Sequence, residues 1–403
     1  MYEQFGLILN EKAKERQEDI SAFCVAEAEK ARAFHKSFRI YKETPLIALQ
    51  HLAEELQVKS IYLKDESKRF GLNAFKVLGA SYAIANELGK RIGEGVTELS
   101  AEKILSKETK EKLGTITFVT ATDGNHGRGV AWTANRLGQK SVVYMPEGSV
   151  PERLQNIRAE GAETEITDLN YDDAVRLAQK MAEEKGWVMV QDTAWEGYED
   201  IPRWIMQGYT TIGHEIMEQI PEKPTHIFLQ AGVGSMAGAM TGFFSNLYRK
   251  EKPTIVIVEP AKADCLYRTA KADDGKMHNV TGAMHTIMAG LACGEPCSIG
   301  WDVLKGYADA FIRCPEYVAA DGMRILAAPA KGDAAVIAGE SGAAGFGCVA
   351  HILMDPALQD WKKQLKLDEN SRILCISTEG DTDRKNYRDI IWNGKYSKYE
   401  KQG

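Results

Sequence analysis

Short runs of β-branched and apolar residues alternate with longer helical patterns along this 403-residue chain. Helical spacing of apolar residues marks stretches such as 129–137 and Tyr171–Lys185. Strands that alternate with helices predict a largely parallel sheet with helices on both faces. A single hydrophobic core could not accommodate this many strands and helices, so we expect an α/β fold with two lobes. Ligands would bind in the cleft between the lobes, at the carboxyl ends of the strands. The predicted strands are 61–63, 116–120, 141–145, 188–191, 227–230, 254–258 and 373–377.

The composition excludes several classes of protein. Hydrophobic residues make up 44% and charged residues 27% of the chain, a balance that argues against disorder and collagen-like structure. The net charge of −7 gives no basic surplus, so neither nucleic acid nor a membrane surface is an expected partner. Seven cysteines cannot all pair, and no signal-peptide core opens the sequence, so we expect a cytoplasmic protein. We read the apolar stretch 227–248 as a strand, a glycine turn and a helix.

Lys76 lies in the segment Asn73-Ala74-Phe75-Lys76, after the strand at 61–63. We expect Asn73 to cap a helix and Lys76 to lie in its first turn. The partial positive charge of a helix N-terminus and apolar neighbours would favour the neutral amine, the form that makes a Schiff base. The alternative is a solvated surface lysine.

A second candidate site follows the strand at 116–120, in the segment Thr122-Asp123-Gly124-Asn125-His126. Small residues between a strand and a helix expose backbone N–H groups that suit a carboxylate. Asn125 can hydrogen-bond a phenolic oxygen, and Asp123 supplies an acid in the same loop. The alternative is an ordinary turn.

A glycine-rich turn follows the strand at 227–230 and consists of Gly232, Val233, Gly234, Ser235 and Met236. Glycines let the backbone approach a phosphate at the start of the next helix. The same turn also satisfies a dinucleotide fingerprint, with Glu259 after the next strand, so an NAD-binding oxidoreductase remains an alternative at this point. Thr378, after the strand at 373–377, can present a hydroxyl at a strand end, or be a plain turn residue.

In this order, the four elements resemble the fold type II, tryptophan-synthase β-like, pyridoxal-phosphate enzymes. The resemblance implies pyridoxal 5'-phosphate as cofactor, with Lys76 as its Schiff-base lysine and Asn125 at the ring oxygen. It further implies that residues 232–236 hold the phosphate, that Thr378 meets the pyridine nitrogen and that Ser341, in Glu340-Ser341-Gly342-Ala343, lines the cofactor. A nicotinamide enzyme has no need of Lys76 or Asn125, which disfavours the NAD reading.

Nearly the whole chain resembles one subfamily, the ammonia-lyases that act on 2,3-diaminopropionate. The segments that carry this likeness are FGLNAFKVLGASYA, ATDGNHGRG, VQDTAWEGYEDIP, QAGVGSMAGA and STEGDTD. Asp123 and Asp192 set the chain apart from serine and threonine dehydratases, because two acids suit a substrate with two amines. The implied reaction is α,β-elimination of D- and L-diaminopropionate to pyruvate and two ammonia. Lys76, Asp123 and Asp192 would be catalytic, and Thr122, Asp123, Gly124, His126 and Asp192 would contact the substrate.

Three alternatives stay open beside this reading. They are a serine/threonine dehydratase of the same fold, the NAD-binding oxidoreductase and an inactive amino-acid sensor, which Lys76 argues against. The resemblance also implies a homodimer, a large cofactor-binding domain from residues 1–80 and 222–403, and a small domain from residues 81–221 with a charged helical insertion near 91–112. His278, His285, Cys293 and Cys297 match no standard zinc spacing, so no metal is predicted. A disulfide between Cys265 and Cys293 is left open.

Overall fold

The computed structural model describes residues 5–14, 18–122 and 124–398. The strands are β1 (Gly6–Leu9), β2 (Leu46–Ala48), β3 (Ser60–Asp65), β4 (Thr117–Ala121), β5 (Lys140–Met145), β6 (Glu163–Ile166), β7 (Val188–Met189), β8 (His226–Gln230), β9 (Thr254–Pro260), β10 (Ala310–Cys314) and β11 (Arg372–Ser377). The first eight helices are α1 (Val25–Lys36), α2 (Gln50–Glu55), α3 (Val77–Ile92), α4 (Ala101–Leu105), α5 (Lys107–Leu113), α6 (Asn125–Arg136), α7 (Pro151–Ala159) and α8 (Tyr171–Lys185). The others are α9 (Asp200–Gln219), α10 (Ser235–Tyr248), α11 (Cys265–Ala272), α12 (Ser298–Tyr307), α13 (Glu316–Ala327), α14 (Glu340–Met354), α15 (Gln359–Gln364) and α16 (Arg384–Ile391).

The strands form two separate sheets. The larger sheet has the order β1-β10-β9-β8-β11-β3-β2, and the smaller has the order β6-β5-β4-β7. All pairs in the smaller sheet are parallel, and the larger sheet is parallel except at its two edges, where β1 and β2 pair antiparallel. The predicted α/β fold with largely parallel sheets is therefore confirmed.

Both faces of the larger sheet are buried, which explains its unbroken apolar strands. In β9, Ile255 and Ile257 face one hydrophobic cluster, whereas Val256 and Val258 face the other. Successive side chains of a strand point to opposite faces, so a strand covered on both sides needs apolar residues at every position. This pattern is the reason that the central strands could be recognised in the sequence.

Every predicted strand is present, and four further strands were not predicted. Those four are β1, β2, β6 and β10. Three of them lie at sheet edges, where β1, β2 and β6 are only partly buried. β6, with the sequence Glu-Thr-Glu-Ile, lacks the apolar run by which the central strands were found, whereas β1 and β2 are apolar but only four and three residues long.

The smaller sheet and the charged segment both lie within residues 81–221. Helix α8 has the predicted bounds, and two short helices, α4 and α5, occupy the charged stretch near 91–112. The division into domains of residues 1–80 with 222–403 and of residues 81–221 stays a prediction. Within the described ranges, no helix combines the length and apolar character that crossing a membrane requires.

A buried cluster of charges joins the helix α9 to the strand β3. Lys64 Nζ donates to Glu215 Oε2 at 2.7 Å and to the Thr44 carbonyl at 2.8 Å. Arg69 donates to both Glu215 oxygens, at 2.7 and 2.8 Å, and Lys64, Arg69 and Glu215 are all inaccessible to solvent. These two cations keep the pKa of Glu215 below its usual range against the opposing effect of burial. The cluster fixes α9 against the larger sheet by paired charges as well as by apolar packing.

Candidate active site

A cavity of about 780 Å³ lies where the carboxyl ends of strands from both sheets meet. The strands β4 and β7 of the smaller sheet and β8 and β11 of the larger sheet all lead into loops that line it. Ligands bind at this end of the strands in open α/β sheets. The predicted residues that line the cavity are Lys76, Thr122, Asn125, His126, Asp192, Gly232, Val233, Gly234, Ser235, Met236, Ser341 and Thr378.

Two predicted site residues stand apart from this set. Gly124 borders a smaller neighbouring cavity, which Asn125 also lines. Its backbone N–H donates to Thr122 Oγ1 at 3.1 Å. Asp123 lies outside the described residues.

Lys76 lies at the start of α3, but the predicted local geometry was wrong. Helix α3 begins at Val77, so Lys76 itself is the N-cap, and Asn73 has a left-handed backbone with φ of 61°. The Asn73 side chain donates to Asp381 Oδ1 at 3.0 Å instead of capping α3. Asn adopts left-handed geometry more readily than most residues, which makes it as suitable for a turn as for a helix cap.

The charge of Lys76 also differs from the expectation of a neutral amine. Burial alone would lower the pKa of Lys76, but the Asp192 carboxylate pairs with its Nζ and raises that pKa above its usual range. The same attraction outweighs burial at Asp192 and lowers its pKa to about 2. Both groups are therefore ionised at neutral pH when Lys76 carries no cofactor.

His126 completes a polar group around Asp192. Its Nε2 lies 2.7 Å from the Val190 carbonyl oxygen, and because a carbonyl only accepts, Nε2 carries the hydrogen. The other ring nitrogen, Nδ1, lies 3.9 Å from Asp192 Oδ2. Asp192 therefore lies between His126 and Lys76 in the cavity.

The glycine-rich turn connects β8 to α10. Gly234 has φ of 96°, a conformation that favours glycine, and the Ser235 hydroxyl donates to the Asp192 carbonyl at 2.6 Å. A Cβ atom at Gly232 would lie 3.1 Å from Cys293 Sγ and 3.2 Å from Leu291 Cα. The first turn of α10 leaves backbone N–H groups without partners inside the helix, and they face a site suited to a phosphate.

Three hydrogen bonds orient polar side chains that line the cavity. Gln230 Nε2 donates to Thr378 Oγ1 at 3.0 Å, which leaves the threonine hydrogen to be donated elsewhere. Asn125 Nδ2 donates to Glu379 Oε2. The Ser341 hydroxyl accepts a hydrogen bond from the Gly290 N–H at 3.1 Å.

Sequence reasoning missed Glu379, Gln230 and Tyr171, which also line the cavity. Glu379 directly follows Thr378, and Gln230 is the last residue of a buried strand, so their positions next to predicted site residues were the available signals. Tyr171 begins α8, and the predicted helix bounds gave no sign that its side chain reaches the cavity.

The remaining sequence alternatives find no counterpart in the structure. Glu259, the acid of the dinucleotide reading, accepts hydrogen bonds from the N–H groups of Leu266 and Tyr267 at 2.9 and 2.6 Å, so it serves the start of α11. Among the described residues, Cys265 and Cys293 are not joined by a disulfide. In the described part of the chain, no three His, Cys, Asp or Glu residues are arranged to hold a metal ion.

The cavity residues fit pyridoxal phosphate. An amine at Lys76, the glycine-rich turn at a helix N-terminus and the Thr378 hydroxyl match the aldehyde, the phosphate and the pyridine nitrogen of that cofactor. A model of the pyridoxal-phosphate dependent enzyme family matches residues 38–379. The chain therefore belongs to the pyridoxal-phosphate dependent enzymes of fold type II.

Comparison with individual proteins narrows this class. Diaminopropionate ammonia-lyase from Salmonella typhimurium is 53% identical over 368 residues, which cover 90% of this chain and 91% of that protein. The crystal structure of holo diaminopropionate ammonia lyase from Escherichia coli covers 98% of both chains at 46% identity, with a TM-score of 0.91. L-threonine ammonia-lyase from Geobacter sulfurreducens is only 28% identical over 68% of this chain and 59% of its own length. Within the family, this chain belongs with the diaminopropionate ammonia-lyases.

Proposed function

We propose that this chain converts 2,3-diaminopropionate and water into pyruvate and two molecules of ammonia, and that it accepts both enantiomers. The observation that carries the proposal is the Asp192 carboxylate beside Lys76, in a cavity whose residues fit pyridoxal phosphate. This acid suits a substrate that carries a second amine. The similarity to diaminopropionate ammonia-lyases supports the same substrate.

Each cofactor contact is assigned to a residue of the cavity. Lys76 would hold the cofactor covalently, residues 232–236 would bind its phosphate, Asn125 would contact its ring oxygen, and Thr378 would meet its pyridine nitrogen beside Ser341. Bound pyridoxal phosphate supplies the electron withdrawal that makes the substrate α-proton acidic. A threonine hydroxyl stabilises a protonated pyridine less than a carboxylate would, which favours prompt loss of a β-substituent.

Asp192 would bind the β-ammonium group of the substrate. Its lowered pKa keeps it ionised, and its charge needs a new partner once the Lys76 nitrogen is engaged with the cofactor. A carboxylate at this position keeps the β-amino group protonated, so that the group leaves as neutral ammonia. His126, whose Nδ1 faces Asp192, and the Thr122–Gly124 loop would complete the substrate contacts.

Proton removal at the α-carbon would use two bases on opposite faces. Lys76 would take the proton of one enantiomer and Asp123 that of the other. The support for Asp123 is its sequence, because a carboxylate here replaces the small or hydroxyl residue of related dehydratases. The three-carbon product would then lose its remaining nitrogen by hydrolysis, which accounts for the second ammonia.

The test is to measure ammonia and pyruvate from D- and L-diaminopropionate, with serine and threonine as comparison substrates. We expect two ammonia per pyruvate from both diaminopropionate enantiomers and much slower turnover of serine and threonine. If serine is turned over rapidly and diaminopropionate is not, the cofactor assignment stands and the proposed substrate is wrong. The homodimer and the cytoplasmic location stay predictions; light scattering of the purified holoenzyme tests the first.

A further inference from the structure

Glu379 is a buried carboxylate in the cavity that the reaction described above does not use. Glu379 is 2% exposed, and its two carboxylate oxygens accept hydrogen bonds from three groups. Asn125 Nδ2 and Thr382 Oγ1 donate to Oε2, the latter at 3.3 Å, and the Ser341 backbone N–H donates to Oε1 at 3.2 Å. Because all three are donors, the arrangement is the one that an ionised carboxylate requires.

The backbone holds Glu379 firmly at this place. Its carbonyl accepts from the Gly339 N–H at 2.8 Å, and the neighbouring Thr378 carbonyl accepts from the Phe75 N–H at 3.2 Å. Glu379 also forms an isolated bridge with Ala74, two residues before Lys76. The segment that carries Glu379 is therefore fixed to the Lys76 loop and to the start of α14.

The partner of Glu379, in contrast, comes from the smaller sheet. Asn125 is the first residue of α6, which follows β4. Since a carboxylate only accepts, the Asn125 amide must turn its nitrogen toward Glu379, which decides between the two amide orientations. One hydrogen of that nitrogen is used, and the other remains for a second acceptor.

We propose that Glu379 is the positioning residue for Asn125: it fixes the amide so that Asn125 can donate its second Nδ2 hydrogen to the ring oxygen of pyridoxal phosphate. The inference rests on the cofactor contact proposed for Asn125. The proposal links the two sides of the cavity, because Glu379 follows β11 of the larger sheet and Asn125 follows β4 of the smaller sheet.

A second buried glutamate, Glu340, lies close to Glu379. Glu340, the first residue of α14, is buried, and its pKa is raised to about 7 by burial and by the charge of Glu379. Its Oε1 accepts from Asn386 Nδ2, so Glu340 has a partner of its own away from Asn125. Glu340 is therefore a matched control: a second buried glutamate close to Glu379 that does not bind Asn125.

The experiment is a double-mutant cycle read out as the dissociation constant of pyridoxal phosphate, measured by fluorescence titration of the apo protein. We expect Glu379→Gln to weaken cofactor binding roughly tenfold, because a glutamine carries no charge and can donate as well as accept, so it no longer fixes the orientation of the Asn125 amide. In the Asn125→Ala background the same change should alter the constant by less than about twofold, because there is no amide left to orient. Glu340→Gln should leave the constant within the same twofold limit.

Three outcomes overturn the inference. If Glu379→Gln weakens pyridoxal phosphate binding equally in the original protein and in the Asn125→Ala variant, Glu379 has a general structural role. A normal constant for Glu379→Gln together with a weakened one for Asn125→Ala would overturn the positioning role and leave the Asn125 contact intact. A normal constant for Asn125→Ala would remove the contact itself. If Glu379→Gln does not fold, Glu379→Asp keeps the charge on a shorter side chain and enters the same cycle.

Discussion

Lys76 and Asp192 form an ion pair inside the cavity although they are 116 positions apart in the chain. Asp192 is what keeps the pKa of Lys76 high, because burial alone would lower it. In Asp192→Asn we expect that pKa to fall by more than about one pH unit, so that the neutral amine appears at lower pH.

The measurement for this first prediction is the rate at which the apo protein captures pyridoxal phosphate, followed by absorbance across pH. The capture rate should rise at lower pH in Asp192→Asn than in the original protein. Asp173→Asn, which removes a surface acid paired with Arg176, controls for net charge. Identical profiles for the original protein and Asp192→Asn would contradict the role assigned to Asp192.

The same ion pair predicts how apo stability changes in acid. The pKa of Asp192 is lowered in the folded protein from an ordinary 3.8 to about 2, so its contribution is fully present above about pH 4 and is lost as the pH falls toward 2. The difference in free energy of unfolding between the original protein and Asp192→Asn should therefore shrink over this window. Urea unfolding at several pH values checks it, and a constant difference would count against the ion pair.

Gly234→Ala should weaken cofactor binding roughly tenfold, since a side chain at φ of 96° strains the glycine-rich turn, the proposed phosphate site, by about 1–2 kcal/mol. Gly186→Ala is the matched control, because Gly186 also has positive φ, of 68°, but ends α8 with open space around it. Both changes should reduce the melting temperature, and only Gly234→Ala should raise the dissociation constant for pyridoxal phosphate. Equal constants in the two variants would argue against a phosphate site at this turn.

Asp123→Asn should impair one enantiomer of diaminopropionate much more than the other, because an asparagine cannot act as base. The measurement is kcat/KM for each enantiomer. Asp192→Asn serves as the comparison and should lower both values, since both substrates carry a β-ammonium group. An equal loss on the two enantiomers in Asp123→Asn would refute the use of two bases.

Glu215→Gln should lower the free energy of unfolding by about 3–5 kcal/mol, because it leaves the buried cations Lys64 and Arg69 without their shared carboxylate. Urea unfolding measures the loss. Glu222→Gln, which breaks an exposed pair with Lys59, should change stability little. A similar effect for both substitutions would mean that burial of the cluster does not matter.

The sequence predicted the central strands better than the edges, and the reason is physical. A strand such as β9 is apolar from Ile255 to Val258 because both faces are covered, whereas β6 has the sequence Glu-Thr-Glu-Ile at an edge. A run of apolar residues marks a buried strand, whereas a strand at a sheet edge can pair with its neighbour while its side chains stay largely exposed.

The sequence predicted the site residues that have distinctive chemistry, but it did not predict the residues that pair with them. Lys76, Asn125 and Thr378 follow strands or precede helices in recognisable motifs, and the structure brings them to one cavity. The ion pair that sets the charge of Lys76 depends on how the two sheets face each other, which no local pattern encodes. The left-handed turn at Asn73 has a different cause, because asparagine suits a turn as readily as a helix cap.

The strand order has a consequence for biosynthesis. Strand β11, the last along the described chain, lies between β8 and β3 and delivers Thr378 and Glu379 to the cavity. A ribosome finishes β3, β8 and the Lys76 loop long before it makes residues 372–377, so the middle of the larger sheet stays open during most of translation. A nascent chain that stops short of β11 lacks both an inner strand of the larger sheet and one wall of the cavity. The complete cavity, with Thr378 and Glu379 in place, therefore exists only after β11 has been synthesised.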